Sequence, residues 1–139
     1  MSAISELIRS EADGTISFGD YTLDAKAKLD NFGHQGDLYK VKTYKDITKL
    51  ERNGMFVYES VPGTAVHGFR SSEEDVSFIV EGTETSSITL ELEPETDYKI
   101  HIDDIYVGKN KTNLGGKLSI SVDLEPGREV KVDVRKAFD

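Results

Sequence analysis

The strongest pattern in the chain is a period of two. Val76, Phe78 and Val80 alternate with Ser77, Ile79 and Glu81. Ile88, Leu90 and Leu92 alternate with Thr89, Glu91 and Glu93, and Tyr98, Ile100 and Ile102 with Lys99, His101 and Asp103. Leu118, Ile120, Val122 and Leu124 follow the same rule, as do Val130, Val132 and Val134. Successive side chains of a strand point to opposite faces, so each run has one apolar and one polar face. That is the pattern of a two-layer antiparallel sandwich with one face of each sheet in the core and one in water.

The turn residues agree. Asp103-Asp104 suits a tight hairpin, and Asn113 with Gly115-Gly116 supplies left-handed positions. Pro94 and Pro126-Gly127 fall between strands, where a missing N–H is harmless. A short echo runs through this half. Leu92-Glu93-Pro94-Glu95-Thr96-Asp97-Tyr98-Lys99-Ile100 parallels Leu124-Glu125-Pro126-Gly127-Arg128-Glu129-Val130-Lys131-Val132, 32 residues on (124 − 92). Each copy ends one strand, turns on proline and begins the next.

Further upstream, Leu38 to Tyr44 alternates and is rich in β-formers. Ile47–Glu51 and Met55–Ser60 flank Asn53-Gly54, a pair that favours a type I′ hairpin because both residues tolerate φ > 0. Residues 24–36 show little pattern, and Asn31 to Gly36 reads as a loop. Thr15 to Leu23 fits a small hairpin around Gly19-Asp20. Residues 2–12 predict a short helix, capped by Ser2 or Ser5, with Ile4, Leu7 and Ile8 on one face and Asp13-Gly14 as its stop. The expected fold is therefore all-β, an antiparallel two-layer sandwich with a short N-terminal helix. The organisation is either an N-terminal region over 1–64 joined to a sandwich over 65–139, or one continuous domain.

Leu92, Pro94 and Tyr98 resemble the E–F corner of fibronectin type III domains. The resemblance implies an Ig-like C-terminal half in which the Tyr98 hydroxyl bonds back to nearby backbone. Ser10 to Gly14, Thr48 to Thr64 and Lys111 to Ser119 together resemble a group of short bacterial proteins from anaerobic Gram-positive species, sometimes labelled endosialidase. That label implies a sialoside hydrolase. The five arginines, Arg9, Arg52, Arg70, Arg128 and Arg135, show no spacing that suggests a carboxylate clamp.

Composition narrows the function classes. The 139 residues carry a formal charge of −9. Residues 1–64 contribute −2 (8 basic, 10 acidic) and residues 65–139 contribute −7 (9 basic, 16 acidic). An acidic chain lacks the attraction to polyanions that drives binding to nucleic acid or anionic membranes, so neither partner is expected. There is no cysteine, which removes disulfides, thiolate chemistry and zinc–thiolate sites. No signal peptide or membrane span is visible, and a cytoplasmic location is expected.

Candidate chemistry is sparse. His34, His67 and His101 form no H-x-H or H-x-x-x-H pair. Asp103 and Asp104 are turn residues, and the clusters Glu73-Glu74-Asp75 and Glu91, Glu93, Glu95 define no particular acid pair. The glycines spell neither a P-loop nor a dinucleotide fingerprint, so no cofactor and no metal are expected. Tyr39, Tyr44, Phe56 and Tyr58 concentrate the aromatic residues. Residues 55–60 are apolar on both faces, which means burial between layers or cover by another chain. The resulting expectation is a non-enzymatic structural or interaction protein that self-associates, with Ile4, Leu7, Ile8, Phe56 and Tyr58 as interface candidates. A carbohydrate-binding module with exposed aromatics is the alternative.

Overall fold

The protein is described from a computed structural model covering residues 3–138. Thirteen strands follow one another: β1 (Ile8–Ser10), β2 (Ile16–Phe18), β3 (Ala27–His34), β4 (Asp37–Tyr44), β5 (Ile47–Arg52), β6 (Met55–Val61), β7 (Ala65–Ser71), β8 (Asp75–Glu81), β9 (Ser86–Glu91), β10 (Asp97–Ile102), β11 (Ile105–Lys111), β12 (Lys117–Val122) and β13 (Val130–Lys136). They form two antiparallel sheets. Sheet A has seven strands in the order β1-β2-β7-β8-β13-β10-β11, and sheet B has six in the order β12-β9-β6-β5-β4-β3. The apolar positions of the alternating runs face inward. Val76, Phe78, Val80, Ile88, Leu90, Tyr98, Ile100, Leu118, Val122, Val130, Val132 and Val134 all belong to one buried cluster.

The expected N-terminal helix is absent. In its place Leu7 adopts a left-handed backbone (φ 73°) and Ile8–Ser10 pairs with β2. Ile4 N–H donates to the Gly19 carbonyl, and Gly19 N–H donates to that of Leu7. Two to three turns of helix are unstable without packing support. The same residues gain more by pairing with β2, where Ile4 and Ile8 become almost fully buried. Ser2, one proposed cap, lies outside the described residues. Asp13-Gly14, read as a helix stop, is instead the hairpin turn between β1 and β2. There Glu11 N–H donates to the Thr15 carbonyl, and the Asp13 carboxylate accepts from Thr15 N–H and Oγ1–H. Gly19-Asp20 turns no hairpin. It carries the chain out of sheet A towards β3 in sheet B. A Cβ on Gly19, which has φ +100°, would meet the Thr64 carbonyl oxygen at 2.4 Å.

Each sheet draws strands from both sides of residue 64. Sheet A joins β1 and β2 to β7, and sheet B joins β6 to β9. The core crosses that boundary too. Tyr58 of β6 sits edge-on to Phe18, Phe69 and Phe78, which sheet A supplies. Its hydroxyl shares a 2.7 Å hydrogen bond with Thr64 Oγ1, which in turn meets Ser60 Oγ at 2.7 Å. Burial pushes the Tyr58 phenol well above its ordinary pKa.

The two proline turns have a shared task. Each carries the chain from sheet B to sheet A, the first from β9 to β10 and the second from β12 to β13. The four strands they join are neighbours, since β9 pairs with β12 and β10 with β13. Ile88 lies opposite Ile120, and His101 lies opposite Asp133. Both pairs are separated by the same 32 residues as the sequence echo. The two copies are therefore related by a local two-fold axis through the sandwich.

Candidate association edge

One open margin of the molecule lies where β11 and β12 end their sheets. The alternation that hides apolar residues elsewhere fails in β11. Ile100 pairs with Gly108 but His101 pairs with Tyr106, so Val107 is an extra, bulged residue. Among the described residues no strand lies beyond β11, and Ile105, Tyr106 and Val107 are 66%, 54% and 56% exposed. Tyr106 leans on His101, with ring centroids 5.5 Å apart. The Asp103-Asp104 turn behind them has φ of 51° and 67°, the pair of left-handed residues a tight hairpin requires.

Sheet B ends on β12, which bonds to β9 alone. Its inward residues Leu118 and Val122 are buried, whereas Ile120 is half-buried. Between β10–β11 and β12 lies a recess of about 220 Å³, lined by Ile100, Ile102, Val107 and Ile120 among others. An apolar strand edge of this length presents free N–H and C=O groups beside a hydrophobic strip, which is what strand addition by another chain requires. Gly116 fixes the start of β12. Its φ is +81°, and a Cβ there would stand 2.2 Å from the Leu92 carbonyl oxygen.

The interface candidates chosen from sequence are elsewhere. Ile4, Ile8 and Tyr58 are core residues with 2% exposure or less. Leu7 is half-buried and packs on that core. Phe56 is half-buried beneath the Lys117 ammonium, 4.7 Å from the ring centroid. The structure brings Ile4, Ile8 and Tyr58 into the interior and leaves no patch containing all five. Tyr98 is buried, and its hydroxyl accepts a hydrogen bond from Glu93 N–H at 3.2 Å. Among the described residues only Tyr106 and Phe138 are exposed aromatics.

Two further clefts carry polar groups. One, of about 630 Å³, opens at an end of the sandwich, between the β6 and β9 residues of sheet B and the β7 and β8 residues of sheet A. Lys136 and Glu93 form an ion pair at its rim. The other, of about 540 Å³, lies beside β1, β2, β7 and β8. Its wall holds Ser17, whose hydroxyl donates to Glu11 Oε2 at 2.5 Å and accepts from Gly68 N–H at 3.1 Å. Arg9 Nε also donates to that carboxylate. These bonds satisfy the groups among themselves and lower the Glu11 pKa. His67 is buried in the same wall, with Nε2 3.9 Å from Glu81 Oε1 and no hydrogen-bond partner among the described residues. Desolvation lowers the His67 pKa and raises that of Glu81, so both lean towards their neutral forms. Among the described residues no group of three or more His, Asp or Glu side chains could hold a metal ion, and no helix is long and apolar enough to cross a membrane.

Comparison with protein-family models, with curated proteins and with solved structures returned no match for this chain.

Proposed function

We propose that the protein is a non-enzymatic β-sandwich that works by protein association and associates with copies of itself. The observation that carries this reading is the open margin, where Ile105, Tyr106 and Val107 face solvent on a strand with an unpaired edge. The other exposed large apolar side chains, Leu29, Leu38, Met55, Val61, Leu114 and Phe138, form no run of three consecutive residues on one strand. Lys109 and Lys111 follow on the same strand, and lysine on an edge discourages indiscriminate pairing without abolishing it. The acidic charge of the whole chain works the same way, since it limits association to a specific, well-matched contact.

The C-terminal half is read as Ig-like, with Tyr98 as its tyrosine corner. The bond from Glu93 N–H to the Tyr98 hydroxyl supports that reading. A carbohydrate-binding role has less support, because no pair of exposed, coplanar aromatics is present among the described residues. The test is size-exclusion chromatography with light scattering over a range of concentrations. A dimer or larger species is expected, weakened by the double substitution Ile105→Lys and Val107→Lys. A clean monomer at high concentration would sink the proposal.

A further inference from the structure

We infer that two copies of the chain join by pairing β12 with β12, antiparallel, across a two-fold axis at Ile120. The inference rests on the association reading above and specifies its partner and register.

The fold already contains a template for this contact. Ser87-Ile88-Thr89-Leu90-Glu91 of β9 and Ser119-Ile120-Ser121-Val122-Asp123 are the same strand repeated 32 residues later. The chain pairs them antiparallel with Ile88 opposite Ile120. β12 is thus bonded along one edge to its own near-copy, in the register that a second β12 would take when centred on Ile120. The outer edge of β9 is filled by β6, with Tyr58 opposite Leu90 and Ser60 opposite Ile88. The equivalent outer edge of β12 has no strand of the described residues beside it.

Self-pairing in this register is complementary at every position. On the core face, Leu118 meets Val122 of the second copy and Ile120 meets Ile120. On the outer face, Ser119 meets Ser121 and Lys117 meets Asp123, a cation against an anion. Three of the four outer-face residues already show such a partnership within the chain. Lys117 Nζ lies 2.6 Å from Glu91 Oε1, Ser119 Oγ 2.9 Å from Thr89 Oγ1, and Asp123 Oδ1 3.0 Å from Thr85 Oγ1. A slip of one residue in either copy would turn apolar side chains to the polar face. A slip that moved the axis by one whole residue, to Ser119, would set Lys117 against Ser121 and leave Asp123 without its cation. Strand addition at β12 also lands beside the recess formed by Ile102, Val107 and Ile120, the apolar surface left open in the single copy.

The test uses the full chain in two forms, one carrying Ser119→Cys and the other Ser121→Cys. Both sites are exposed, and the chain has no other thiol. The two forms are mixed, treated with a short bis-methanethiosulfonate cross-linker, which forms a disulfide with each cysteine and releases sulfinate, and examined by non-reducing denaturing electrophoresis, with light scattering on the same samples. Residues directly opposite in an antiparallel pair have Cβ atoms about 5 Å apart. The expected result is a dimer that cross-links efficiently in the mixture and several-fold less in either form alone. A dimer that does not cross-link in the mixture overturns this register while leaving association standing. A monomer at every concentration overturns both.

Discussion

His67 is the residue whose environment departs most from what the sequence suggests. It sits on β7 with its ring buried and Nε2 without a hydrogen-bond partner among the described residues, 3.9 Å from a buried Glu81 carboxyl. Desolvation is the largest cause of its lowered pKa, outweighing the attraction of the Glu129 carboxylate, and Arg9 lowers it further. The sign of the pH effect follows. The unfolded chain binds a proton at His67 more readily than the folded chain does. The contribution is therefore intact above the ordinary value of 6.5 and is lost as pH falls through it towards the lower native value. Glu81 works in the opposite sense. Its pKa is raised above 4.5, so its contribution is intact below that value and is lost as pH rises through the native one. As the pH is taken from about 7 to about 5, the urea midpoint should fall further, relative to its pH 7 value, in the parent chain than in His67→Gln, because Glu81 acts alike in both. Equal slopes in the two proteins would mean that His67 binds its proton as readily in the fold as in the unfolded chain. Nothing in the sequence around His67 foretells this burial. It comes from the pairing of β7 with both β2 and β8, which places the ring under a covered part of the sheet.

Strands were legible in the sequence where each face keeps one character. β4, β5, β6, β8, β9, β10, β12 and β13 all follow the alternating runs to within two residues at either end, apart from the expected tail of the β9 and β12 runs. The poorly patterned strands have physical reasons for being so. β3 is a sheet edge, exposed on most of its length and bulged between Leu29 and Phe32, so no apolar face was needed. β7 carries a register shift between His67 and Arg70 that breaks its alternation. β1 and β2 have three residues each, too few for a period to show. The proline turns were legible as a repeat, and they differ at one informative position. Gly127 has φ +82°, and its equivalent Glu95 has φ +50°. A left-handed backbone costs an L side chain about 1 kcal/mol that glycine does not incur. Glu95→Gly should therefore raise the denaturation midpoint by the equivalent of about 0.5–1 kcal/mol, and Gly127→Glu should lower it similarly. A loss of stability in Glu95→Gly would show that the strain is offset by contacts of the Glu95 side chain.

Across the whole molecule, the two sheets share one core fed from both halves of the chain. Phe18, Tyr58, Phe69 and Phe78 meet in it, so removing the first 64 residues takes away two of the four rings together with β1 to β6. Residues 65–139 expressed alone should show no cooperative denaturant transition, whereas the full chain should show one. A sharp two-state transition in the fragment would mean that the C-terminal strands form a domain unaided. The candidate margin was hidden from sequence for a reason at this scale. Ile4, Ile8 and Tyr58 are as apolar as Ile105, Tyr106 and Val107, and only the order of strands decides which of them has a neighbour.

That strand order also governs how the chain can reach its fold. Ile16 must wait for Phe69, and Val76 for Val134, before their ladders can close. Sheet A therefore cannot be completed until β13 joins β8 to β10. Chains dominated by such distant pairings fold on the millisecond-to-second scale, since the entropy of closing long loops is lost before the contacts are gained. The β3–β4–β5–β6 meander, whose pairings are all local, is the longest stretch able to form early.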